Sequence, residues 1–580
     1  MGKSSKKIIA SIVVTAIMCT LFFTNVYAVT ETVTIDVGSN IGAADHKGNG
    51  LLLGVTATAP SDSIIAAIKP SSWRLCDKWD PISVSDRIMN IAGSNGYTTQ
   101  IQDILSDYIF YNYGNTEKPG PFNTSYYTSA TNQYLNNHQG HGLYAIDLFN
   151  EPDGWPYPQG ALDTRAERSA YWNACYRAIR ANPNYNNVKI MGPSTSGQSV
   201  GTVAPYLDDA YASGTYPDII SFHFPMHFPD NNNPESTIQA IRDYCASKGY
   251  PSRPIHINED VWSSEWTYPG TVARVFGYAE RMGVKVNHAC WQDGNNNNGD
   301  WFPMLDGLVD MNGGTRPCYY MYKAYASMTG SMLNVTRSTN YDASASKDTG
   351  AKKVIAILGS MNNVSGTITA RFTNMSSVFT GTSVNVLVQK LSAGTNIVSG
   401  PSQYSNGSVT ISGNTVNVSV NVNSREGVII TLTSGSGATA PVAHMRKLNA
   451  MSFGLDGGEG GANDQKCKLW SYDYNNINQQ WEEIDRGGGY YSYQKRGTNY
   501  CLDGGEGGAN GQAVKLWTRD DNNQNQHWKK INLNNGNYRL EKRNAPGFSI
   551  DGGNGGANGQ SVVLWTSDSN NQNQAWNFVY

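Results

Sequence analysis

Short apolar runs alternate with segments of helical periodicity between about Leu51 and Leu333. Apolar runs bounded by turn residues predict buried strands, and their regular alternation with helices is typical of repeated βα units. Eight such units in roughly 280 residues predict a (β/α)8, or TIM, barrel over residues 46–333. The predicted strands are Leu51–Val55, Ser72–Leu75, Ile101–Leu105, Tyr144–Phe149, Val188–Met191, Ile219–His223, Ile255–Ile257 and Val286–Trp291.

Helices are predicted between these strands. Arg165–Arg180 follows Thr164 and contains Glu167, which is the spacing of a capping box. Ser236–Ser247 is a second predicted helix, and Tyr319–Met332 is predicted to be the last helix of the barrel.

The pattern changes to a period of two after that helix. Runs such as Lys353–Leu358 and Val416–Val420, in a region rich in Ser, Thr, Asn and Val, predict a β-sandwich over residues 334–433. The segment 29–45 contains the strand-like run Thr32–Val37 and precedes the barrel, so we expect it to join the sandwich. Residues 434–445 have the small side chains of a linker.

Residues 446–580 contain a threefold internal repeat with an interval of about 47 residues. A Leu/Ile-Asp-Gly-Gly motif, a Leu-Trp pair and a Gln-x-Trp motif each occur three times in the same order. One copy is too small to bury its own apolar face, whereas three copies around an axis can share a core. The repeat therefore predicts one domain with three equivalent lobes.

The first 28 residues are typical of an export signal. Lys3, Lys6 and Lys7 precede the apolar stretch Ile8–Phe23, and Val26-Tyr27-Ala28 provides small residues for cleavage. We therefore expect a secreted, extracellular protein with no membrane association after the signal is removed.

The composition of the chain indicates which kinds of molecule it binds. The chain is 39% hydrophobic and 15% charged, with a formal net charge of -3 and no long run of one sign. This balance disfavours nucleic acid and anionic membranes and favours a neutral substrate. The cysteines are irregularly spaced without a CxxC pair, so no metal site is predicted, although Cys467 and Cys501 could pair. We expect a monomer without a cofactor.

A glutamate lies two residues after each of two predicted strands, Glu151 after Tyr144–Phe149 and Glu259 after Ile255–Ile257. The tips of buried barrel strands are where such folds build active sites. Cleavage of a glycosidic bond needs two carboxyl groups, one protonated and one ionised, so the pair predicts a glycosidase. The structural alternatives are a carboxylate at a helix N-terminus for Glu151 and a solvated loop carboxylate for Glu259.

Residues 50–333 resemble clan A of the glycoside hydrolases, most closely family 39. The resemblance rests on Asn150-Glu151-Pro152, the run ending at Glu259, the run Asp218–His223 and the order of barrel and sandwich. It implies that Glu151 is the general acid and then the general base, and that Glu259 is the nucleophile. Asn150 would bind the sugar 2-hydroxyl. Arg74 would keep Glu259 ionised or form a structural salt bridge, while a drier pocket would raise the pKa of Glu151.

Further site residues follow from the same resemblance. Trp291 would stack under the catalytic sugar, or else be an interior tryptophan. The tyrosine that clan members often carry after strand six is absent, so His223 or His227 would replace it, or act in packing. The loop Asp293–Asp300 lacks the ligands of a calcium loop and is expected to form the rim of the cleft.

The threefold repeat resembles ricin-B-type lectins, the family 13 carbohydrate-binding modules with a β-trefoil fold. In that family an aspartate, an aromatic ring and an Asn-Gln pair line a sugar pocket in each lobe, while the Gln-x-Trp tryptophans, here Trp481, Trp528 and Trp576, build the core. The family's usual glutamine before the aromatic ring is replaced by Lys468, Lys515 and Val563. The implied sugar-binding residues are Asp456, Trp470, Asn478 and Gln479, then Asp503, Trp517, Asn525 and Gln526, then Asp551, Trp565, Asn573 and Gln574.

Together these features predict a secreted, retaining glycoside hydrolase that cleaves a β-linked glycan, such as a plant hemicellulose. The trefoil would hold the enzyme near its polymer. The alternative is a non-catalytic secreted lectin whose barrel is a scaffold.

Overall fold

The computed structural model describes residues 29–76, 82–111, 123–154, 162–224, 233–260, 267–289, 304–360, 363–434, 441–533 and 536–580. The chain divides into two compact units. The first extends to Ile397 and continues over Gln403–Leu432, and the second comprises Val398–Ser402 and Thr433–Tyr580. Several sequence predictions lie outside the described residues, namely the export signal, His227, Trp291 and the loop Asp293–Asp300.

Eight parallel strands close into a barrel in the first unit, as predicted. Each strand pairs with the next one along the chain, and the last strand returns to pair with the first. We number these barrel strands 1 to 8 in chain order: Gly50–Leu52, Ser72–Leu75, Gln100–Ile104, Leu143–Asp147, Lys189–Thr195, Ile219–Phe224, Ile255–Asp260 and Lys285–His288.

Helices surround the barrel and cover its strands. The predicted capping box is formed, because the Glu167 amide donates to Thr164 Oγ1 and the Thr164 amide donates to Glu167 Oε2. Within the described part of the chain, no helix is both long and apolar enough to cross a membrane. The helices are Asp62–Ile68, Ile82–Ser94, Leu105–Tyr111, Thr124–Asn137, Arg165–Ala181, Val200–Ala212, Pro234–Ser247, Pro269–Met282 and Pro317–Ala326.

The prediction of a last helix over Tyr319–Met332 was wrong at its C-terminal end. The helix stops at Ala326, and Ser331–Met332 is a strand that pairs with Ser346 and Lys347. Gly330 has a φ of +75°, and a Cβ atom there would lie 2.2 Å from the Lys347 carbonyl oxygen. This glycine therefore turns the chain out of the helix and into a sheet, and the apolar Met332 is buried in sheet packing.

Two sheets follow the barrel and share one apolar core. The early strand Val29–Asp36 lies in the smaller sheet, where it pairs with Gly366–Thr373 and Asn334–Thr336. The smaller sheet has the order Asn334–Thr336, Val29–Asp36, Gly366–Thr373, Val416–Val422. The larger sheet has the order Ser402–Thr410, Ser383–Leu391, Gly427–Ser434, Lys353–Ser360, Tyr341–Asp348, Ser331–Met332, Gly42–Ala43.

The barrel and the larger sheet pack closely through the helix Pro269–Met282. A Cβ atom on Gly359 would lie 2.4 Å from the Cα atom of Gly270, so a side chain at that sheet position would push the helix away. Arg281 at the end of the same helix forms an ion pair of 2.7 Å with the buried carboxylate of Asp342. Close backbone contact and this ion pair make the barrel and sandwich one compact unit.

The second unit is a trefoil built from the threefold repeat. Its Gln-x-Trp tryptophans, Trp481, Trp528 and Trp576, are fully buried, and each indole N–H donates to a backbone carbonyl at 3.0–3.2 Å. This supports the core role assigned to them. The strands are Val442–Lys447, Phe453–Asp456, Lys468–Ser471, Trp481–Asp485, Tyr490–Lys495, Tyr500–Asp503, Gln512–Ala513, Lys515–Thr518, Trp528–Asn532, Asn537–Lys542, Phe548–Asp551, Val563–Thr566 and Trp576–Val579.

The trefoil is held without a disulfide between Cys467 and Cys501. Both thiols are free and buried. The pairing that the sequence left open is therefore not formed, and both cysteines act as small apolar side chains in the core.

The interior of the barrel contains a neutral histidine. His256 on barrel strand 7 is buried, and its Nδ1 lies 3.1 Å from Gln102 Nε2. Burial, together with the charge of Lys285, lowers the pKa of His256 to about 3.

This buried histidine makes stability depend on pH. The unfolded chain protonates His256 below a pH of about 6.5, whereas the folded chain does not, so acid favours unfolding. We expect the wild type to lose about 1.4 kcal/mol per pH unit more than His256→Gln between pH 6 and pH 4.5. Urea unfolding at a series of pH values measures this difference, and parallel pH profiles for the two proteins would contradict it.

Candidate active site and sugar-binding lobes

The two glutamates singled out from the sequence meet at the carboxyl end of the barrel. Glu259 lies in barrel strand 7, and Glu151 follows the end of barrel strand 4. One carboxylate oxygen from each, together with a ring nitrogen of His223, lie within 4.8 Å of one another. The chain therefore brings both carboxylates to one histidine at the end of the barrel.

A β-bulge directs the Glu259 side chain toward Arg74 and His223. Ile257 pairs with Phe222, but the next pair along is Glu259 with His223, so Asn258 is an extra residue in its strand. Asn258 points to the barrel interior, where its amide donates to Asp147 at 2.8 Å. In a regular strand the following residue would point outward, and the bulge allows Glu259 to point inward as well.

Glu151 is held in a left-handed backbone conformation, with a φ of +49°. Such a conformation costs about 1–2 kcal/mol for a residue other than glycine. The Glu151 amide donates to the Ser194 carbonyl at 2.9 Å, which holds the turn. The strained turn places the Glu151 carboxylate 3.0 Å from His223 Nδ1.

Arg74 is the centre of the site's electrostatics. Its guanidinium is fully buried and donates to Asp147 at 2.8 and 3.0 Å, to Glu259 at 2.7 Å and to Asn150 Oδ1 at 3.0 Å. Burial acts to lower the pKa of Arg74, but Asp147 and Glu259 outweigh it, and the pKa is raised. Arg74 therefore stays charged and fixes the orientation of Glu259 and Asn150.

Asp147 is a positioning residue that the sequence analysis missed. It is fully buried, and besides Arg74 it accepts hydrogen bonds from Ser194 at 2.7 Å and Asn258 at 2.8 Å. A signal for it was present, because an acidic residue interrupts the apolar run Tyr144–Phe149. Ser194 and Asn258 had no comparable signal, since their roles arise from the packing of strands 5 and 7 around Asp147.

His223 bridges the two glutamates. Its buried Nδ1 lies 3.0 Å from Glu151 and 3.4 Å from Glu259, and its Nε2 has no hydrogen-bond partner among the described residues. Burial acts to raise the pKa of Glu151, but the hydrogen bond and charge of His223, helped by Arg74, outweigh it. The pKa of Glu151 is therefore lowered, and the expectation that a drier pocket raises it was wrong in direction.

The same three side chains offer the donor set of a metal site. Two carboxylates and an imidazole are ligands that zinc accepts, and they are close enough to share an ion. Arg74 already supplies a positive charge at 2.7 Å from Glu259.

The second unit presents three similar candidate sugar pockets, which we call lobe 1 (Asp456), lobe 2 (Asp503) and lobe 3 (Asp551). Each aspartate accepts a hydrogen bond from the amide two residues later, at 2.6–2.7 Å. Trp470 and Trp565 are exposed and Trp517 is half-buried. Asn478, Asn525 and Asn573 are half-buried as well.

The glutamines of the predicted pockets are more enclosed. Gln479, Gln526 and Gln574 are buried, and each side-chain amide donates to one backbone carbonyl and accepts from one backbone amide of its own lobe. These contacts hold the pocket loop, and Gln479 also donates to the pocket aspartate Asp456 at 3.2 Å. Sugar binding by the three glutamines stays a prediction. The structure adds buried lysines that sequence analysis missed, although they recur at the repeat interval: Lys447, Lys495 and Lys542, which donate to carbonyls of the glycine-rich loops.

Known proteins are similar to each of the two units. The family described as ricin-type beta-trefoil lectin domain-like matches residues 449–517 and 477–565. The C-terminal unit is a ricin-type trefoil. The match confirms the resemblance inferred from the Gln-x-Trp repeat.

The barrel and sandwich have the fold of known glycoside hydrolases. N2152 from Neocallimastix frontalis aligns over 70% of this chain and 100% of its own, with a TM-score of 0.59 and 23% identity. The GH39 enzyme from Xanthomonas axonopodis pv. citri aligns over 71% and 99%, with a TM-score of 0.51 and 14% identity. The predicted likeness to clan A and family 39 is confirmed for the fold.

A curated relative is also a glycosidase. The 3-O-alpha-D-galactosyl-alpha-L-arabinofuranosidase of Bifidobacterium longum subsp. longum is 23% identical over 427 residues. The alignment covers 62% of this chain but only 36% of that protein, so this chain spans about a third of the relative's length.

The buried ion pair yields a prediction about stability. Asp147→Asn leaves the Arg74 guanidinium without its main counter-charge, and we expect a loss of about 3–5 kcal/mol in unfolding free energy. Asp209→Asn is the matched control, because its ion pair with Arg165 is exposed and should be worth less than about 1 kcal/mol. Urea unfolding measures both, and similar losses would contradict the central role of Asp147.

Proposed function

We propose that this chain is a secreted, retaining glycoside hydrolase with a sugar-binding trefoil. The observation that carries the proposal is the distance between a Glu151 and a Glu259 carboxylate oxygen, which is within 4.8 Å. Retaining enzymes hold their carboxyl groups about 5–5.5 Å apart, whereas inverting enzymes need roughly 6.5–9.5 Å to admit a water. The contact from Arg74, at 2.7 Å, places a cation beside Glu259 and supports it as the nucleophile.

The reaction proceeds in two displacements. Glu259 attacks the anomeric carbon and forms a glycosyl-enzyme ester while the bond to the leaving oxygen breaks, and Glu151 gives that oxygen its proton. Glu151 then takes a proton from water, whose oxygen attacks the anomeric carbon and releases Glu259. Asn150, fixed by Arg74 at 3.0 Å, is positioned to hydrogen-bond the sugar 2-hydroxyl.

His223 is the side chain with which Glu151 can exchange a proton. Its Nδ1 lies 3.0 Å from a Glu151 carboxylate oxygen, which is close enough for a proton to pass between the two groups. A proton on the carboxylate is the one that Glu151 donates to the leaving group. Esterification of Glu259 removes a negative charge 3.4 Å from the same nitrogen, so the balance within the pair changes between the two steps.

The names of two similar proteins suggest a class of substrate. One relative is named for an α-L-arabinofuranoside, and a β-xylosidase from Caulobacter crescentus CB15 shares the fold with a TM-score of 0.50. We propose that the substrate is a plant-type polysaccharide that contains arabinose or xylose. The hydrolysed bond is proposed to be a β-linkage. The trefoil would raise the local concentration of polymer at the barrel.

The two glutamates can be tested directly on aryl glycosides and on xylan, arabinan, galactan, mannan and β-glucan. We expect Glu259→Ala to lose more than about 1,000-fold of activity, and Glu151→Gln about 100- to 10,000-fold, because each removes a different catalytic group. Glu167→Gln is the control, since glutamine also fits the capping box. Reducing-sugar release measures all three.

Azide distinguishes the two roles. On an activated aryl glycoside, Glu259→Ala with azide should give a glycosyl azide of inverted configuration, and Glu151→Ala one of retained configuration. A wild type that binds glycans but releases no sugar from any substrate would favour the lectin alternative.

Metal removal separates the glycosidase from a metal-dependent use of the same residues. We expect full activity after dialysis against EDTA, because Arg74 provides the charge that Glu259 needs. Loss of activity that zinc restores would instead assign Glu151, His223 and Glu259 as metal ligands.

A further inference from the structure

The three trefoil lobes differ in charge at one position of the candidate pocket. In each lobe this position lies directly across an antiparallel strand pair from the pocket aspartate, so the two side chains share a face. It is Lys468 opposite Asp456 in lobe 1, Lys515 opposite Asp503 in lobe 2, and Val563 opposite Asp551 in lobe 3. The pocket tryptophan is two residues further along the same strand and shares that face too.

The lysines lie over the tryptophan rings. Lys468 Nζ is 4.5 Å from the centre of the Trp470 ring, and Lys515 Nζ is 4.7 Å from that of Trp517. An ammonium is attracted to an aromatic face, so a neutral sugar that stacks there competes with it. In lobe 3 the residue is Val563 and Trp565 is 45% exposed, so no ammonium from this position competes for the ring.

The two lysines differ in their counter-charge. Lys515 of lobe 2 forms an ion pair with Asp464, which belongs to the neighbouring loop of lobe 1. For Lys468, no ion pair is formed with any acidic residue of the described chain. The ammonium of lobe 1 is therefore available, whereas that of lobe 2 is neutralised.

The repeat explains this difference. Asp464 has a φ of +65°, and the equivalent positions in the other two lobes are Gly511 and Gly559, at +83° and +84°. The Asp464 amide donates to the Leu516 carbonyl just as the Gly559 amide donates to the Leu469 carbonyl. Lys468 thus faces a glycine where Lys515 faces a carboxylate. An aspartate in a conformation that favours glycine is strained, and it gains the ion pair.

We propose that lobe 1 selects a sugar residue that carries a carboxylate, a uronic acid, while lobe 3 takes neutral sugars. This inference rests on the proposed sugar-binding role of the trefoil. In lobe 1 the Trp470 ring contacts the C–H face of the sugar, Asp456 accepts from its hydroxyl groups, and the Lys468 ammonium pairs with its carboxylate. Lobe 2 does not pair with a sugar carboxylate in this way, because the Lys515 ammonium already forms an ion pair with Asp464.

The test compares polygalacturonate, whose sugars carry free carboxylates, with its methyl ester, in which the same carboxylates are esterified and uncharged. Affinity gel electrophoresis of the full chain, in a Glu259→Ala background that prevents cleavage, gives a ratio of affinities for the acidic and the esterified polymer. We expect Lys468→Gln to lower this ratio by about two- to fivefold, the range of a single exposed ion pair. The preference of the parent protein should weaken at about 0.5 M NaCl because salt screens exposed charges.

Lys515→Gln is the matched control, since it makes the same change in net charge but removes an ammonium that is already paired. It should leave the ratio unchanged. Asp464→Gly frees Lys515 and should raise the ratio by a similar two- to fivefold factor, which a merely structural role of these residues would not produce.

The outcomes separate this inference from the function on which it rests. Equal effects of Lys468→Gln and Lys515→Gln, or a parent protein that binds both polymers equally, would overturn the selectivity of lobe 1 and leave sugar binding intact. If the parent protein is retarded by neither of these polymers nor by neutral galactan or xylan, sugar binding by the trefoil fails, and this inference fails with it.

Discussion

A buried guanidinium holds the carboxyl end of the barrel together. Arg74 contacts the carboxylates of Asp147 and Glu259 and the amide oxygen of Asn150. Burial of these charges is costly unless every donor and acceptor is satisfied, and Ser194 and Asn258 complete the hydrogen bonds of Asp147. Barrel strands 2, 4, 5 and 7 are thereby tied at one point. The position of Glu259 consequently depends on the whole barrel and not on its own strand alone.

The two candidate catalytic carboxylates have different surroundings on either side of this anchor. Glu259 is fixed by a permanent cation, whereas Glu151 lies on a strained turn and its carboxylate is 3.0 Å from His223 Nδ1. Hydrolysis by double displacement needs one group that remains ionised and one that alternates between acid and base. In the proposed mechanism Glu151 is the group that alternates, and its contact with His223 takes the place of the dry pocket inferred from the sequence.

The three lobes of the trefoil have the same residues at their buried core positions but different residues at positions where charged side chains meet. The three Gln-x-Trp tryptophans occupy equivalent buried positions, because each lobe fills the same space. Two residues later the repeat has Glu483, Lys530 and Phe578, and the Lys530 ammonium pairs with Glu483 at 2.7 Å and lies 4.3 Å from the Phe578 ring centre. Three identical charges at such contacts would repel one another. The candidate pockets also differ in charge, because the residue opposite the pocket aspartate is Lys468, Lys515 or Val563.

The sequence by itself determined the eight barrel strands, the capping box at Thr164, the sandwich pattern, the threefold repeat and the two strand-end glutamates, because periodicity and chain punctuation are local properties. It missed Asp147 as a positioning residue and misjudged the end of the last helix, which depends on where Gly330 meets a sheet. Only the tertiary structure decided that Glu151 and Glu259 face each other, that a bulge at Asn258 turns Glu259 inward, and that His223 lowers the pKa of Glu151. The physical reason is that these properties arise from contacts through space, such as that between Arg74 and Glu259, which are 185 residues apart in the chain.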